Sequence, residues 1–136
     1  MSKSNTTENE TLDAILRGVD PSWRGNANRY IALHTADPGD TGTAVTNEAT
    51  FTNYARQAVT ALTGFTAGSS GSSSNTAQIS FPECGATGNT ITHVSIVTTA
   101  SGAGQILYSG ALTSSRDISS GITALFAIGG LTITED

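Results

Sequence analysis

Residues Arg29-Tyr30-Ile31-Ala32-Leu33-His34-Thr35 place Tyr30, Ala32 and His34 on one side and Ile31, Leu33 and Thr35 on the other, the two-residue period of a β-strand. Asp37-Pro38-Gly39-Asp40-Thr41-Gly42-Thr43 follows. It is dense in turn formers, and Asx-type hydrogen bonds are expected to order it. Working outward, the runs at 54–63, 77–81, 90–99, 105–112 and 122–134 are rich in Ile, Val, Thr, Phe or Tyr and bounded by Gly, Pro, Asn or Ser, which predicts five more strands. The last run is expected to bend at Gly129-Gly130. Residues 68–75, Gly-Ser-Ser-Gly-Ser-Ser-Ser-Asn, have the composition of a flexible linker but are too short to separate domains; a mobile hairpin or inter-sheet connection is expected. Six or more short, evenly spaced strands predict a mainly β chain, a jelly-roll-like β-sandwich.

One short N-terminal α-helix precedes the strands. Thr7-Glu8-Asn9-Glu10 has the form of a capping box, with Thr hydroxyl and Glu carboxylate each satisfying a backbone N–H. Leu12, Ile15, Leu16 and Val19 then recur at i, i+3, i+4 and i+7, forming one apolar stripe, and Gly18 and Pro21 mark the end. About three turns are marginal for an isolated helix, so the stripe needs a surface: its own sheet, a second copy or another protein. The chain therefore reads as one domain, residues 1–136, with an arm and helix over 1–24 and a sandwich over 25–136.

Charge is scarce: 12% of residues, against about 25% in an ordinary soluble domain. The net charge is −5 and Lys3 is the single lysine, which excludes a basic nucleic-acid groove and a polybasic membrane patch. No apolar stretch follows Lys3, so no signal peptide is expected, and the most apolar segment, 122–133, falls short of the ~20 residues of a membrane span. Cys84 stands alone, so no intrachain disulfide is available and synthesis in a reducing cytoplasm fits.

Catalytic chemistry is poorly supplied. His34 and His93 are the only histidines, no Gly-x-Ser-x-Gly elbow exposes a serine, and Glu83 is the sole formal charge in residues 57–115. A pair of carboxylates cannot come from that half, and without the elbow a triad has no exposed nucleophile to build on. No catalytic residue and no enzyme activity is expected. A zinc site would have to draw His34, His93 and Cys84 from distant segments without ligand spacing. Asp37 and Asp40 lack the spacing of a calcium loop and read as turn caps. No phosphate-binding or dinucleotide motif is present, so neither a metal nor a cofactor is expected. What remains is surface. A face of Ser, Thr, Gly and Ala suits close contact with another protein, since small side chains lose little entropy when ordered, and such contact depends weakly on salt. Leu12, Ile15, Leu16 and Val19 are the candidate apolar anchor, and Arg24, Arg29, Arg56 and Arg116 the charges available to fix register with a partner.

Tyr30-Ile31-Ala32-Leu33-His34-Thr35-Ala36-Asp37-Pro38, Gly42, Asn47-Glu48 and Tyr54-Ala55-Arg56-Gln57-Ala58-Val59 resemble the signature YVALHTADP…G…NEV…YAR…AV of a family of small tailed-bacteriophage virion proteins. Ala77-Gln78-Ile79-Ser80-Phe81-Pro82 is similar to that family's ADITFP strand, Ile91-Thr92-His93-Val94-Ser95-Ile96 to its VTHFGI strand, and Gly110-Ala111-Leu112-Thr113 and Gly130-Leu131-Thr132-Ile133-Thr134 match in order. The chain departs from the pattern at Val97-Thr98-Thr99-Ala100, where the family often carries Asp-Ala, and in its uncharged serine-rich loop. Some members are labelled tail fibre proteins; others are similar to capsid cement proteins, small jelly rolls that bridge neighbouring major-capsid subunits. The resemblance implies a structural virion protein made in the bacterial host cytoplasm. Its first expectation is a decoration protein on the outer capsid surface, bound to the major capsid protein and homo-oligomeric, with a dimer favoured. The alternative is a tail-associated or tail-fibre protein involved in receptor binding.

Overall fold

The structure, a computed structural model, describes residues 1–135. It is mainly β, with one short N-terminal helix. The first strand, β1 (Asn28–His34), lies inside a four-stranded antiparallel sheet between β2 (Gln57–Thr60) and β5 (Asn89–Val97), and β6 (Ile106–Ile118) completes the order β2-β1-β5-β6. Because β1 is interior and covered on both sides, both of its alternating rows are buried. Ile31 and Leu33 enter the larger core; Ala32 joins a small cluster with Ala44, Val97 and Ile106.

Opposite the larger core lie two antiparallel ribbons. In one, β3 (Ser72–Ser74) pairs with β8 (Thr132–Thr134); in the other, β4 (Ile79–Ser80) pairs with β7 (Leu125–Phe126). Ile79, Phe81, Leu131 and Ile133 from these segments pack against Ile31, Leu33, Val94, Ile96 and Leu107 of the sheet. This is a two-layer β arrangement compatible with a jelly-roll-like sandwich. Asn75 ties the layer's turns together: its amide donates to the carbonyls of Ala77 (2.7 Å) and Ala127 (2.8 Å), and its Oδ1 accepts from Leu131 N–H (2.8 Å).

Several expectations change in detail. The run at 54–63 contributes only β2, because Tyr54 and Arg56 turn inward toward Glu48 and a turn closes from Thr60 to Gly64. The run at 122–134 splits into β7 and β8 around the expected bend, where Gly130 N–H reaches Ala127 O and Gly129 adopts a left-handed φ of 72°. The serine-rich loop is a hairpin, as its composition suggests, but its second arm is strand β3 held by β8. Strand β6 continues six residues past Leu112.

The helix α1 (Asn5–Arg17) is capped by Ser4, whose hydroxyl accepts from Thr7 N–H, so the capping box expected at Thr7 is displaced by one turn. The reason is tertiary. Ser4 Oγ and Thr7 Oγ1 both donate to the carbonyl of Ile106, at 2.6 and 2.7 Å, and Gln105 Nε2 donates to Thr7 Oγ1 and Glu10 Oε2. Thr7 is therefore buried inside the first turn, where it cannot serve as the cap. Gly18 ends the helix in the left-handed region, φ 67°, as its lack of a Cβ allows.

Candidate functional site

The helix is bolted to the sheet by its polar side. Thr7, Glu10, Thr11 and Ala14 form the row that faces the fold, at the spacing of one helix face, and all are buried or half-buried. Leu12, Ile15 and Leu16 point away and are 55%, 74% and 76% exposed. This inverts the usual amphipathic arrangement, in which the apolar stripe meets the core. The stripe is shorter than the sequence predicts, since Val19 lies in the turn beyond the Gly18 cap, also largely exposed. The fold itself thus leaves uncovered the surface the sequence singles out as an anchor.

The four candidate arginines separate into different environments. Arg24 is exposed and pairs with Asp20, four residues earlier in the turn that follows the helix. Arg29 is half-buried over the Trp23 ring, 5.8 Å from its centroid, and its guanidinium donates to the carbonyls of Asn26 and Asn28; burial lowers its pKa from the ordinary value. Arg116 is exposed on β6, opposite Ile91 in the ladder, and among the described residues its side chain has no hydrogen-bond or ion-pair partner.

Arg56 is not a surface contact. Its side chain is 2% exposed. Nε and Nη2 grip the two oxygens of Glu48 at 2.6 and 2.8 Å, and the remaining donors reach Thr99 O (3.0 Å) and Gly102 O (2.8 Å). The Glu48 hydrogen bonds, the first cause, raise the Arg56 pKa against the opposing effect of burial. Tyr54 Oη also donates to Glu48 Oε1 and accepts from Leu33 N–H, both at 3.0 Å. The sequence marks Arg56 as one of few charges but carries no local sign of its burial; the nearby Asn47-Glu48 and Tyr54-Ala55-Arg56 were the available signal.

Beside this brace, His34 is completely buried. Its Nδ1 lies 2.9 Å from Thr46 O and its Nε2 2.7 Å from Ser95 Oγ. A carbonyl can only accept, so Nδ1 carries the proton and Nε2 accepts from the serine hydroxyl. That geometry makes Ser95 a donor to a neutral ring, sealed from solvent. Burial pushes the His34 pKa below its ordinary value of 6.5, opposed by the Thr46 carbonyl and Glu48. The unfolded chain therefore takes up a proton before the folded one does. Stability from this site is complete above about pH 6.5 and is lost as the pH falls through the lower folded-state value. Thermal midpoints of the wild-type protein should decline in that window more steeply than those of His34→Gln, and equal slopes would show that His34 does not titrate on unfolding.

The Asp37 loop is ordered as expected. Asp37 Oδ1 accepts from Gly39 N–H at 2.8 Å, and Asn47, itself at φ 53°, donates from Nδ2 to Asp37 O. Cys84 is buried with its thiol directed at the Gly85 and Thr87 carbonyls. His93 stands opposite His34 across the β1–β5 ladder, with Nδ1 2.8 Å from Thr92 Oγ1. Among the described residues no three His, Cys, Asp or Glu side chains converge, and no helix is long and apolar enough to cross a membrane.

The signature residues thus build an internal frame of β1, His34, Glu48, Tyr54 and Arg56, with the exposed helix face standing outside it. Residues 2–134 match the family described as Podophage GP4 fiber I protein gp80. The chain belongs to this family. No curated protein matches it. Membership of the gp80 family makes the chain a structural protein of a bacteriophage virion. The fiber description corresponds to the second of the two placements implied by the sequence resemblance at least as well as to the first.

Proposed function

We propose that this gp80-family protein is a non-catalytic assembly module of a podophage appendage, a fibre subunit that docks on another virion protein through the free face of α1. The observation that carries the docking role is the inverted helix: Leu12, Ile15 and Leu16 are exposed while the threonine face is fastened to the sheet. Burying one large aliphatic side chain contributes about 1.5–3 kcal/mol, so three adjacent ones supply a useful anchor for a subunit whose attachment is repeated around a symmetric particle. The family description supports the fibre placement. The sealed Ser95–His34 pair and the use of Glu48 to hold the buried Arg56 support a role without catalysis, since His34, Ser95 and Arg56 are all buried.

A second reading, decoration of the outer capsid surface with the major capsid protein as partner, is favoured by the neutral strand surface. Residues 57–115 carry one formal charge, which suits flat contact with a shell. Copy number separates the two. Quantitative mass spectrometry of purified particles should give a few to tens of copies for a fibre subunit. A count approaching that of the major capsid protein, with particles that rupture at lower temperature when the protein is missing, would replace the fibre reading with decoration.

A further inference from the structure

Residues 1–17 are held to the rest of the chain almost entirely by polar contacts. Among the described residues, the buried members of both core clusters run from Ile31 to Ile133, and Met1, half-buried against the larger cluster, is the one residue of the arm and α1 that packs on either. What this segment buries is polar: Ser4 and Thr7. Both donate to the Ile106 carbonyl, at 2.6 and 2.7 Å, and Gln105 Nε2 donates to Thr7 Oγ1 and Glu10 Oε2, at 2.8 and 2.9 Å. The arm adds two backbone hydrogen bonds of 2.8 Å between Ser2 and Ser109, one from Asn5 N–H to Asp40 O at 2.9 Å, and the Lys3–Glu135 ion pair at 2.8 Å. All three sheets are built from Asn28 onward. The segment joins them through Gly18-Val19-Asp20, all exposed, with Gly18 in the left-handed region at φ 67°.

We propose that the arm and α1 form a strap that opens as one unit, swinging on Gly18-Val19-Asp20 while the sandwich stays folded. The ground is the kind of contact that breaks. Unfolding the sandwich exposes its apolar clusters, whereas opening the strap mainly exchanges protein hydrogen bonds for hydrogen bonds to water, a nearly balanced exchange. The Ile106 carbonyl, the Ser109 backbone and the hydroxyls of Ser4 and Thr7 all lie at the strap's own contact. Water reaches each of them when the strap lifts, so no polar atom is left stranded. Lys3 and Glu135 are the clasp; their side chains are 20% and 44% exposed, so solvent weakens the pair. A helix of 13 residues is marginal alone, and α1 therefore melts once released. The consequence rests on the docking role proposed above: the face of Leu12, Ile15 and Leu16 exists only while the strap is closed. A partner bound to that face adds its affinity to the closed state alone and holds the strap shut.

Ser109 is the reporter, because its N–H donates to Ser2 O and is released when the strap lifts, not when the helix frays by itself. Native-state amide exchange on the full-length protein should show Ser109 and the α1 amides opening with one common equilibrium constant. That constant should be at least about 100-fold larger than the one for the β1 and β5 amides, as for a separately opening unit. Lys3→Met should raise it about threefold and Thr7→Val about tenfold, with β1 and β5 exchange unchanged and Lys3→Arg close to wild type. Ser109 as well protected as β5 would overturn the proposal. So would α1 amides that exchange while Ser109 stays protected, since that is fraying on a fixed arm, or a common opening indifferent to both K3M and T7V. Exchange measured on purified particles separates this proposal from the docking role. Ser109 should exchange more slowly there than in the free protein; equal rates, with the opening intact in the free protein, would count against the docking face and leave the strap standing.

Discussion

Replacing Arg56 with alanine should cost the fold about 3–5 kcal/mol, the range for breaking a buried ion pair by removing one partner. The expectation rests on what stays behind. Glu48 keeps only the Tyr54 hydroxyl, the Thr99 carbonyl loses the guanidinium, and the Gly102 carbonyl is left with the Gly104 N–H alone. The guanidinium joins three separate segments: the Glu48 turn, the start of β2 and the loop after β5. Against a total stability of about 5–15 kcal/mol for a domain of this kind, the variant should unfold at markedly lower urea and populate unfolded chain at physiological temperature. The combined change Arg56→Met and Glu48→Gln should recover a substantial part of the loss, because it removes both charges. A urea midpoint for Arg56→Ala within experimental error of wild type would show that the brace contributes little.

Leu16→Asp should leave the fold intact and remove the protein from particles. Leu16 is 76% exposed and makes no contribution to either core cluster, so the isolated variant should melt within a few degrees of the wild-type protein. In the docking proposed above the same position packs against a partner, where a carboxylate loses the apolar contact and adds a desolvation cost of about 1–3 kcal/mol or more. Incorporation, measured by quantitative mass spectrometry of particles grown with the variant as sole source, should fall by at least about tenfold, the factor equivalent to 1.4 kcal/mol. Normal incorporation of a well-folded Leu16→Asp protein would remove α1 as the anchor. Thr7→Val provides the converse control. It should destabilise the helix attachment, because Ile106 O loses a donor, without altering the apolar face.

The parts of this architecture that are legible in the sequence are those fixed by local chemistry. The strict alternation at 29–35 becomes β1, and the β-branched run at 90–99 becomes β5. The glycine pair at 129–130 makes the expected bend, Gly18 ends the helix, and Asp37 caps its own turn. What the sequence leaves ambiguous is settled by distant partners. The capping box expected at Thr7-Glu8-Asn9-Glu10 gives way to a cap at Ser4, because Thr7 is drawn to the Ile106 carbonyl, 99 residues away. Ser72–Ser74 has no strand propensity of its own and becomes one because β8 pairs with it. The extension of β6 through Thr113 and Ser114 lacks apolar alternation, since that part of the edge has no core to face.

The candidate contact residues divide in the same way. The stripe at Leu12, Ile15 and Leu16 is readable from spacing alone, but its direction is not; only the polar bonds of Ser4, Thr7 and Gln105 turn it outward. Arg56 could be recognised as unusual in a charge-poor chain, yet a lone arginine looks the same in sequence whether it reaches a partner or an internal glutamate. Low charge remains the feature that unites these findings. The protein uses its one buried arginine in its own frame and ties Arg17 and Arg24 to neighbouring carboxylates, while the Arg116 side chain has no partner among the described residues.

The most direct test of the assembly role is a cryo-electron microscopy map of the intact virion at side-chain resolution. The account predicts density from another virion protein packed over Leu12, Ile15 and Leu16, with the threonine face of α1 still fastened to Ile106. A map in which the subunit is attached elsewhere and this helix face looks onto solvent would contradict it.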